Sequence, residues 1–355
     1  MPSTTDPSVF LRACRREPVP RTPVWFMRQA GRYMKEYRDL RARHSLLELC
    51  RTPELAAQVT LQPIHKIGVD AAIIFADLLL PAQAMGMDLR FAEGEGPVLT
   101  PAVRTAEAVQ KLGTVQDGEL SYVAQTVQIV CRELNGATPV IGFCGAPFTV
   151  ASYMIEGRSS RTFLNTKRMM YEHPDVWRTL MRKLVPVLAA YLKSQAAAGA
   201  GAVQIFDSWV GCLSPEDYRA YVLPYSRDLI ASVTESGVPI IHFGTGTATL
   251  LELMREAGGD VIGVDWRIEL CEAWRRVGYD VSVQGNLDPV ALFGPRETLR
   301  KRVERILRSV AGRPGHIFNL GHGILPETPV ENVQAVVEMV RRFEPEDTWK
   351  EATRS

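Results

Sequence analysis

The stretch RQAGRYMKEYR (28–38) places Arg28, Arg32, Lys35 and Arg38 around one glycine, Gly31. An arginine offers a planar fork of N–H donors suited to carboxylate or phosphate, and a glycine lets backbone N–H groups close on an anion. The loop is therefore a candidate polyanion site. The plainer reading of the same residues is a solvated basic turn paired with Glu36 and Asp39. Asp77 closes the apolar run AAIIFAD (71–77) and is followed by LLLP. Burial there raises a carboxyl pKa unless cations or N–H donors compensate, which suits a catalytic group. A helix cap or a backbone-bonded core aspartate is the plainer alternative.

Further polar residues fall where apolar runs end: Asp207-Ser208, His242, Asp265, Asn286, Asp288 and His322. GFCGAPFTVASYM (142–154) carries Tyr153, and IFDSWVG (205–211) carries Phe206 beside Asp207 and Ser208; both combine an apolar wall with a hydroxyl tip. FGTGTATL (243–250), with Asp265 about 20 residues on, has the outline of a dinucleotide loop, but Thr249 stands where the third glycine would be. No H-E-x-x-H occurs, and HFG (242–244) brings a histidine without a neighbouring cysteine, so no metal is expected. There is no G-x-S-x-G elbow and no P-loop lysine.

These groups need elements to position them. Eight short apolar runs recur: VWFMR (24–28), AAIIFAD (71–77), PVIGFCG (139–145), AVQIFDS (202–208), PIIHFG (239–244), VIGVDW (261–266), VSVQGNLD (281–288) and HIFNLGHG (316–323). Most are continuous rather than alternating, as parallel strands covered on both faces require. Helical patterns lie between them, among them 175–199, 247–259 and 297–312, each closed by glycine. Eight βα units predict a single-domain (β/α)8 (TIM-like) barrel over residues 1–355, with an N-terminal extension and long βα loops; an open doubly wound sheet is the alternative. In a barrel the C-terminal strand ends converge on one mouth. About 60 residues separate the second and third runs, and 78–101, rich in Pro and Gly, reads as a long loop over that mouth. Residues 1–7 and 346–355 read as frayed ends.

The chain has 355 residues, a formal net charge of +1 and 46% hydrophobic residues, which predicts a globular protein without a general nucleic-acid or membrane-surface role. Six scattered cysteines without a C-x-x-C pair suit a reduced compartment, and no segment reaches signal-peptide or membrane-span length. The cytoplasm is the expected location.

Seven motifs, WFMRQAGRYMKEYR, AAIIFADLLLPAQAMGM, GFCGAPFTVASYMIEG, QIFDSWVGCLSPEDY, IHFGTGT, QGNLDP and FNLGHGILPETPVENV, together resemble the uroporphyrinogen decarboxylase family from near residue 20 to about 340. The resemblance implies an α/β barrel, a homodimer, that converts the four acetate side chains of uroporphyrinogen III to methyls, giving coproporphyrinogen III without cofactor or metal. Carried over by position, it implies that Arg28, Gln29, Ala30, Gly31 and Arg32 form the substrate loop and that Asp77 is the central aspartate. Arg41, Tyr153, Phe206, Ser208 and His322 are implied as further binding residues; the chemistry of acetate loss makes Asp77 the expected key catalytic group and Arg28 a candidate proton donor beside it. Leu46 stands where some members carry phenylalanine. The neighbouring corrinoid methyltransferases share the barrel but bind zinc through a His-x-Cys element, which HFG does not supply.

Overall fold

A computed structural model describes residues 8–92, 96–115 and 118–344, so the expected frayed ends 1–7 and 346–355 lie outside the described residues. Among the described residues the strands are β1 (Ala72–Ile73), β2 (Asp88–Ala92), β3 (Gly96–Thr100), β4 (Val140–Gly145), β5 (Ala202–Asp207), β6 (Ile240–Gly244), β7 (Val261–Gly263), β8 (Ser282–Leu287) and β9 (His316–Leu320). Seven of them form one parallel sheet in the order β1-β4-β5-β6-β7-β8-β9. Every residue of β4, β6, β8 and β9 is buried, which explains their unbroken apolar runs: helices cover one face and side chains of the same sheet cover the other.

The sheet curls on itself. Gln284 on β8 donates through Nε2 to Gln204 Oε1 on β5 at 3.0 Å, although two strands separate them. Trp25 Nε1 donates to Gln284 Oε1 at 3.0 Å, adding a third member to this buried chain.

The run VWFMR does not form a strand but a single bridge, Val24 to Phe318. Pro23 O accepts from Phe318 N at 2.8 Å, and on the other side Val24 O accepts from Asp70 N, also at 2.8 Å, so the segment lies between β9 and the residues leading into β1. It stops there because side chains capture the donors a ladder would use. Phe26 N–H goes to Gln29 Oε1 at 3.2 Å and Met27 N–H to Asn319 Oδ1 at 3.1 Å.

The stretch 78–101 is also not the loop expected. It holds the helix Leu80–Ala84 and an antiparallel hairpin of β2 and β3, which packs on the C-terminal end of the helix Pro147–Glu156 through Leu99 N–H to Gly157 O at 2.8 Å. Alternation of Asp88 and Arg90 with the apolar Leu89 and Phe91 is the period-2 signal of such a strand. Helix Leu251–Ala257 lies within its predicted segment, and helices Pro174–Ala197 and Arg296–Ser309 each begin one residue before theirs and end inside it. The N-terminal helix Val9–Cys14 covers the opposite edge of the sheet, where Ser282 Oγ, at the start of β8, donates to Ala13 O at 2.8 Å.

Candidate active site

The arginine loop answers which of its cations are available. Lys35 pairs with Asp39 at 2.6 Å, and Arg38 Nη1 donates to the carbonyls of Arg32 and Tyr33 at 2.8 and 2.9 Å. Glu36 is paired with Lys66 at 2.6 Å. The surface-turn reading thus holds for half of the stretch. Arg28 and Arg32 are exposed, and neither side chain has a hydrogen bond or ion pair among the described residues.

Gln29 is the scaffold of this loop rather than a free contact. Its Oε1 accepts from Phe26 N–H, its Nε2 donates to Ala71 O at 3.0 Å, and its carbonyl accepts from the Tyr33 hydroxyl at 2.6 Å. Gly31 closes the turn: a β-carbon there would stand 3.2 Å from Arg28 O. Ala30 and Gly31 are half-buried, and Arg28 takes a left-handed φ of +56°. For a long L side chain this conformation is uncommon and needs support from its surroundings.

Asp77 follows β1. Its Oδ1 accepts from Leu79 N–H at 2.9 Å, so the capping role weighed from the sequence is real for one oxygen. Its Oδ2 has no hydrogen bond among the described residues. The residue keeps some accessible surface, but protein surrounds most of the carboxyl. Burial pushes its pKa up to about 6, against the lowering effects of the Leu79 N–H and the Arg28 charge.

Arg28 also acts on two other predicted residues. Burial is the main cause of the raised Tyr153 pKa, with Asp77 adding to it and Arg28 opposing. Burial, followed by the charges of Arg28 and Arg267, lowers His322 to about 4, so the free protein holds this imidazole neutral at pH 7. Arg28, Asp77, Tyr153 and His322 therefore share one electrostatic environment at the C-terminal edge of the sheet.

Other predicted residues stand around them. Phe206 packs edge-on against Phe143 and Phe243, with ring centroids 5.5 and 5.9 Å apart. Ser208 follows β5 and its carbonyl accepts from the Thr245 hydroxyl. Arg41 donates through Nη1 to His44 O, and its charge opposes the rise in the Cys50 pKa that burial, and then Asp77, causes. Leu46, the first residue of the helix Leu46–Arg51, packs against the core.

Several strand-end residues do not join the site. Asp265 accepts from Gly246 N–H at 2.6 Å and from Arg267 N–H at 3.1 Å, which ties two loops together and leaves no carboxylate for a ribose. Asn286 Nδ2 donates to the carbonyls of Asp265 and Ile268, and Asp288 caps Val290 N–H at 2.9 Å. His242 is fully buried, against Gly259 and beside the C-terminal end of the helix Leu251–Ala257, where burial lowers its pKa to about 4. Two participants went unselected in the sequence, Thr149 and Asn319. Both lie inside quoted motifs, but only their partners reveal their work.

A curled parallel sheet with cations and a perturbed carboxylate at its C-terminal edge defines an α/β enzyme acting on an anionic substrate. The chain belongs to the uroporphyrinogen decarboxylase (URO-D) family, whose profile matches residues 5–343. It is 58% identical to the uroporphyrinogen decarboxylase of Solibacter usitatus (strain Ellin6076), over 95% of this chain and 98% of that one. It is 57% identical to that of Carboxydothermus hydrogenoformans, over 94% and 96% of the two chains. Among solved structures, a methyltransferase from Methanosarcina mazei shares the fold with a TM-score of 0.76, at 20% identity over 94% of this chain and 98% of that one.

Proposed function

We propose that this protein decarboxylates the four acetate side chains of uroporphyrinogen III, giving coproporphyrinogen III and CO2 in tetrapyrrole biosynthesis. The observation that carries the reading is Arg28, unpaired among the described residues, acting on Asp77, a largely buried carboxyl with one oxygen uncommitted, while the neighbouring Arg32 of the same loop is also unpaired. A macrocycle with carboxylates at its rim and N–H groups at its centre complements this arrangement: cations outside, an anion inside.

Loss of CO2 from a pyrrole acetate leaves electrons that need a sink. The substrate can supply it. Protonation of the ring carbon next to the one bearing the acetate makes an iminium-like cation, which draws the electrons in as CO2 departs; a second proton then adds to the exocyclic carbon, and loss of the first proton from the ring carbon restores the pyrrole, so each acetate consumes one proton net. No cofactor is required by this chemistry.

Asp77, ionised beneath the ring, accepts the pyrrole N–H groups and offsets the developing positive charge. An ion pair at about 4 Å with an effective dielectric near 20 amounts to about 4 kcal/mol, or roughly 10³ in rate if felt only in the transition state. Arg28 and Arg32 hold rim carboxylates and help keep Asp77 ionised. As a proton donor Arg28 is handicapped by a pKa above about 12, so a water or a substrate carboxyl is the better acid. Tyr153, Ser208 and His322 orient carboxylates, Arg41 and Phe206 line the cleft, and Ala30 and Gly31 shape the loop. Gln29 serves this site by holding the loop's backbone.

We read the sheet as a (β/α)8-like barrel in which the segment around Val24 occupies the eighth place, with the chain as one domain. A cytoplasmic homodimer is the assembly we assign to it. The described residues contain no helix long and apolar enough to cross a membrane.

The test is anaerobic incubation of chelator-treated protein with uroporphyrinogen III, followed by chromatography of the oxidised porphyrins. Stepwise hepta- to tetracarboxylate species are expected. Binding without any loss of carboxylate would instead identify a tetrapyrrole carrier using the same cleft.

A further inference from the structure

The segment that follows β9 is built around Arg28. Met27, the residue before it, is held from both sides: its N–H donates to Asn319 Oδ1 at 3.1 Å, and its carbonyl accepts from Ile324 N–H at 2.9 Å. Asn319 is fully buried, and the same oxygen also accepts from Leu320 N–H at 2.8 Å, which fixes the side-chain amide in place. These bonds clamp the peptide leading into Arg28, whose φ of +56° then sets the direction of the side chain.

Gly323 completes the seat. A β-carbon built on it would meet the Arg28 side chain first: Cδ in overlap, Cγ at 2.6 Å and Cβ at 3.0 Å, with no other residue among the three nearest atoms. The guanidinium stem thus runs across a bare α-carbon. No positive φ is recorded at Gly323, so the backbone there does not itself demand glycine. What excludes a side chain is Arg28.

We propose that Asn319 and Gly323 are positioning residues for Arg28: the first clamps the backbone before it, and the second leaves the space its side chain occupies. This rests on the reading of Arg28 as a substrate contact. His322 lies between Leu320 and Gly323 on the same segment, so one short turn sets both an arginine and an imidazole from chain positions nearly 300 residues apart.

A double-mutant cycle with Gly323→Ala and Arg28→Ala tests it, with kcat and KM for uroporphyrinogen III measured on all four proteins. Arg28→Ala alone should lower kcat/KM; if it does not, the reading of Arg28 as a substrate contact falls. Gly323→Ala alone should cost about tenfold, within the range of coupling for side chains in contact, with the same division between kcat and KM as Arg28→Ala. In the Arg28→Ala background the added methyl has no stem to displace, and the further loss should shrink to within about twofold. Equal losses in both backgrounds, or no loss from Gly323→Ala beside a damaged Arg28→Ala, would overturn the positioning role. Asn319→Asp, which keeps the accepting oxygen, and Asn319→Leu, which removes it, give a second pair. If Asn319→Leu folds, its loss should likewise collapse when Arg28 is absent, and Asn319→Asp should retain more of kcat/KM than Asn319→Leu.

Discussion

The Thr149 hydroxyl donates to Asp207 Oδ1 at 2.9 Å, joining the end of β5 to the helix that carries Tyr153. The same hydroxyl accepts from Trp209 N–H at 3.3 Å, and the Trp209 ring leans on Tyr153 with centroids 5.8 Å apart. Asp207 Oδ2, fully buried, has no hydrogen-bond partner among the described residues, and burial pushes the carboxyl up to about 7.

That carboxyl makes stability depend on pH with a defined sign. Folded Asp207 keeps its proton up to about 7, whereas an unfolded aspartate releases it near 4. Its contribution is complete below about 4 and is lost as pH rises through 7. His242, His316 and His322, lowered to about 4 by burial, act in the opposite sense: their contribution is present above 6.5 and is lost as pH falls through 4. Asp207→Asn isolates the first effect. Its stability relative to the parent should rise by a few kcal/mol, at about 1.4 kcal/mol per pKa unit, between pH 4 and 8 in urea unfolding. A pH-independent difference would mean that native Asp207 titrates like an unfolded one.

Asp77→Asn preserves shape and the bond from Leu79 N–H but removes the charge. Turnover should fall by roughly 10³ while the melting temperature stays within a few degrees of the parent. Near-normal kcat would take Asp77 out of the mechanism.

Arg28 holds the Asp77 pKa down against burial. Arg28→Met should therefore raise that pKa and move the acid limb of kcat/KM, near 6 in the parent, to higher pH. An unmoved limb in an active variant would show that the limb belongs to another group. Arg32→Ala, which removes a cation without an internal partner, should raise KM with little change in kcat; an unchanged KM would leave Arg32 as a solvated charge.

Asp70 lies at the other edge of the sheet, away from the chemistry. It accepts from Val24 N–H at 2.8 Å, from both Arg21 amino groups at 2.6 and 2.7 Å, and from Arg341 at 2.9 Å; these cations and N–H donors hold its pKa low although burial, the largest single effect, raises it. Asp70→Ala strands two cations and a buried N–H, and should cost about 3–5 kcal/mol in denaturant unfolding. KM should not change. A raised KM at full stability would mean that this node reaches the substrate loop.

Much of this arrangement was legible in the chain. Seven of the eight apolar runs contain strands of the parallel sheet, because burial on both faces leaves a run no polar phase and so a plain signal. The eighth run is just as apolar, but at Phe26 and Met27 the side chains of Gln29 and Asn319 take the backbone donors that a strand would use. The hairpin of β2 and β3 was missed because the Pro and Gly content of 78–101 outweighed four alternating residues.

Residue type names the chemical candidates but does not show which of them is available. Lys35 and Arg38 look as free as Arg28 and Arg32 in RQAGRYMKEYR, yet two are spent within the loop and two are not. Asp77, Asp207 and Asp265 all close apolar runs. Only the fold assigns one to a cap with an oxygen to spare, one to a buried strut and one to a loop tie.

By itself the sequence determined the succession of apolar runs, the family motifs and the set of groups able to bind carboxylates, since these follow from residue type and local spacing. The tertiary structure alone decided which groups remain unpaired, how far burial moves each pKa, and that Asn319, 292 positions from Met27, holds the peptide before Arg28. The physical reason is that pairing and desolvation depend on neighbours in space, and the residues that satisfy a polar group here are mostly remote in the chain.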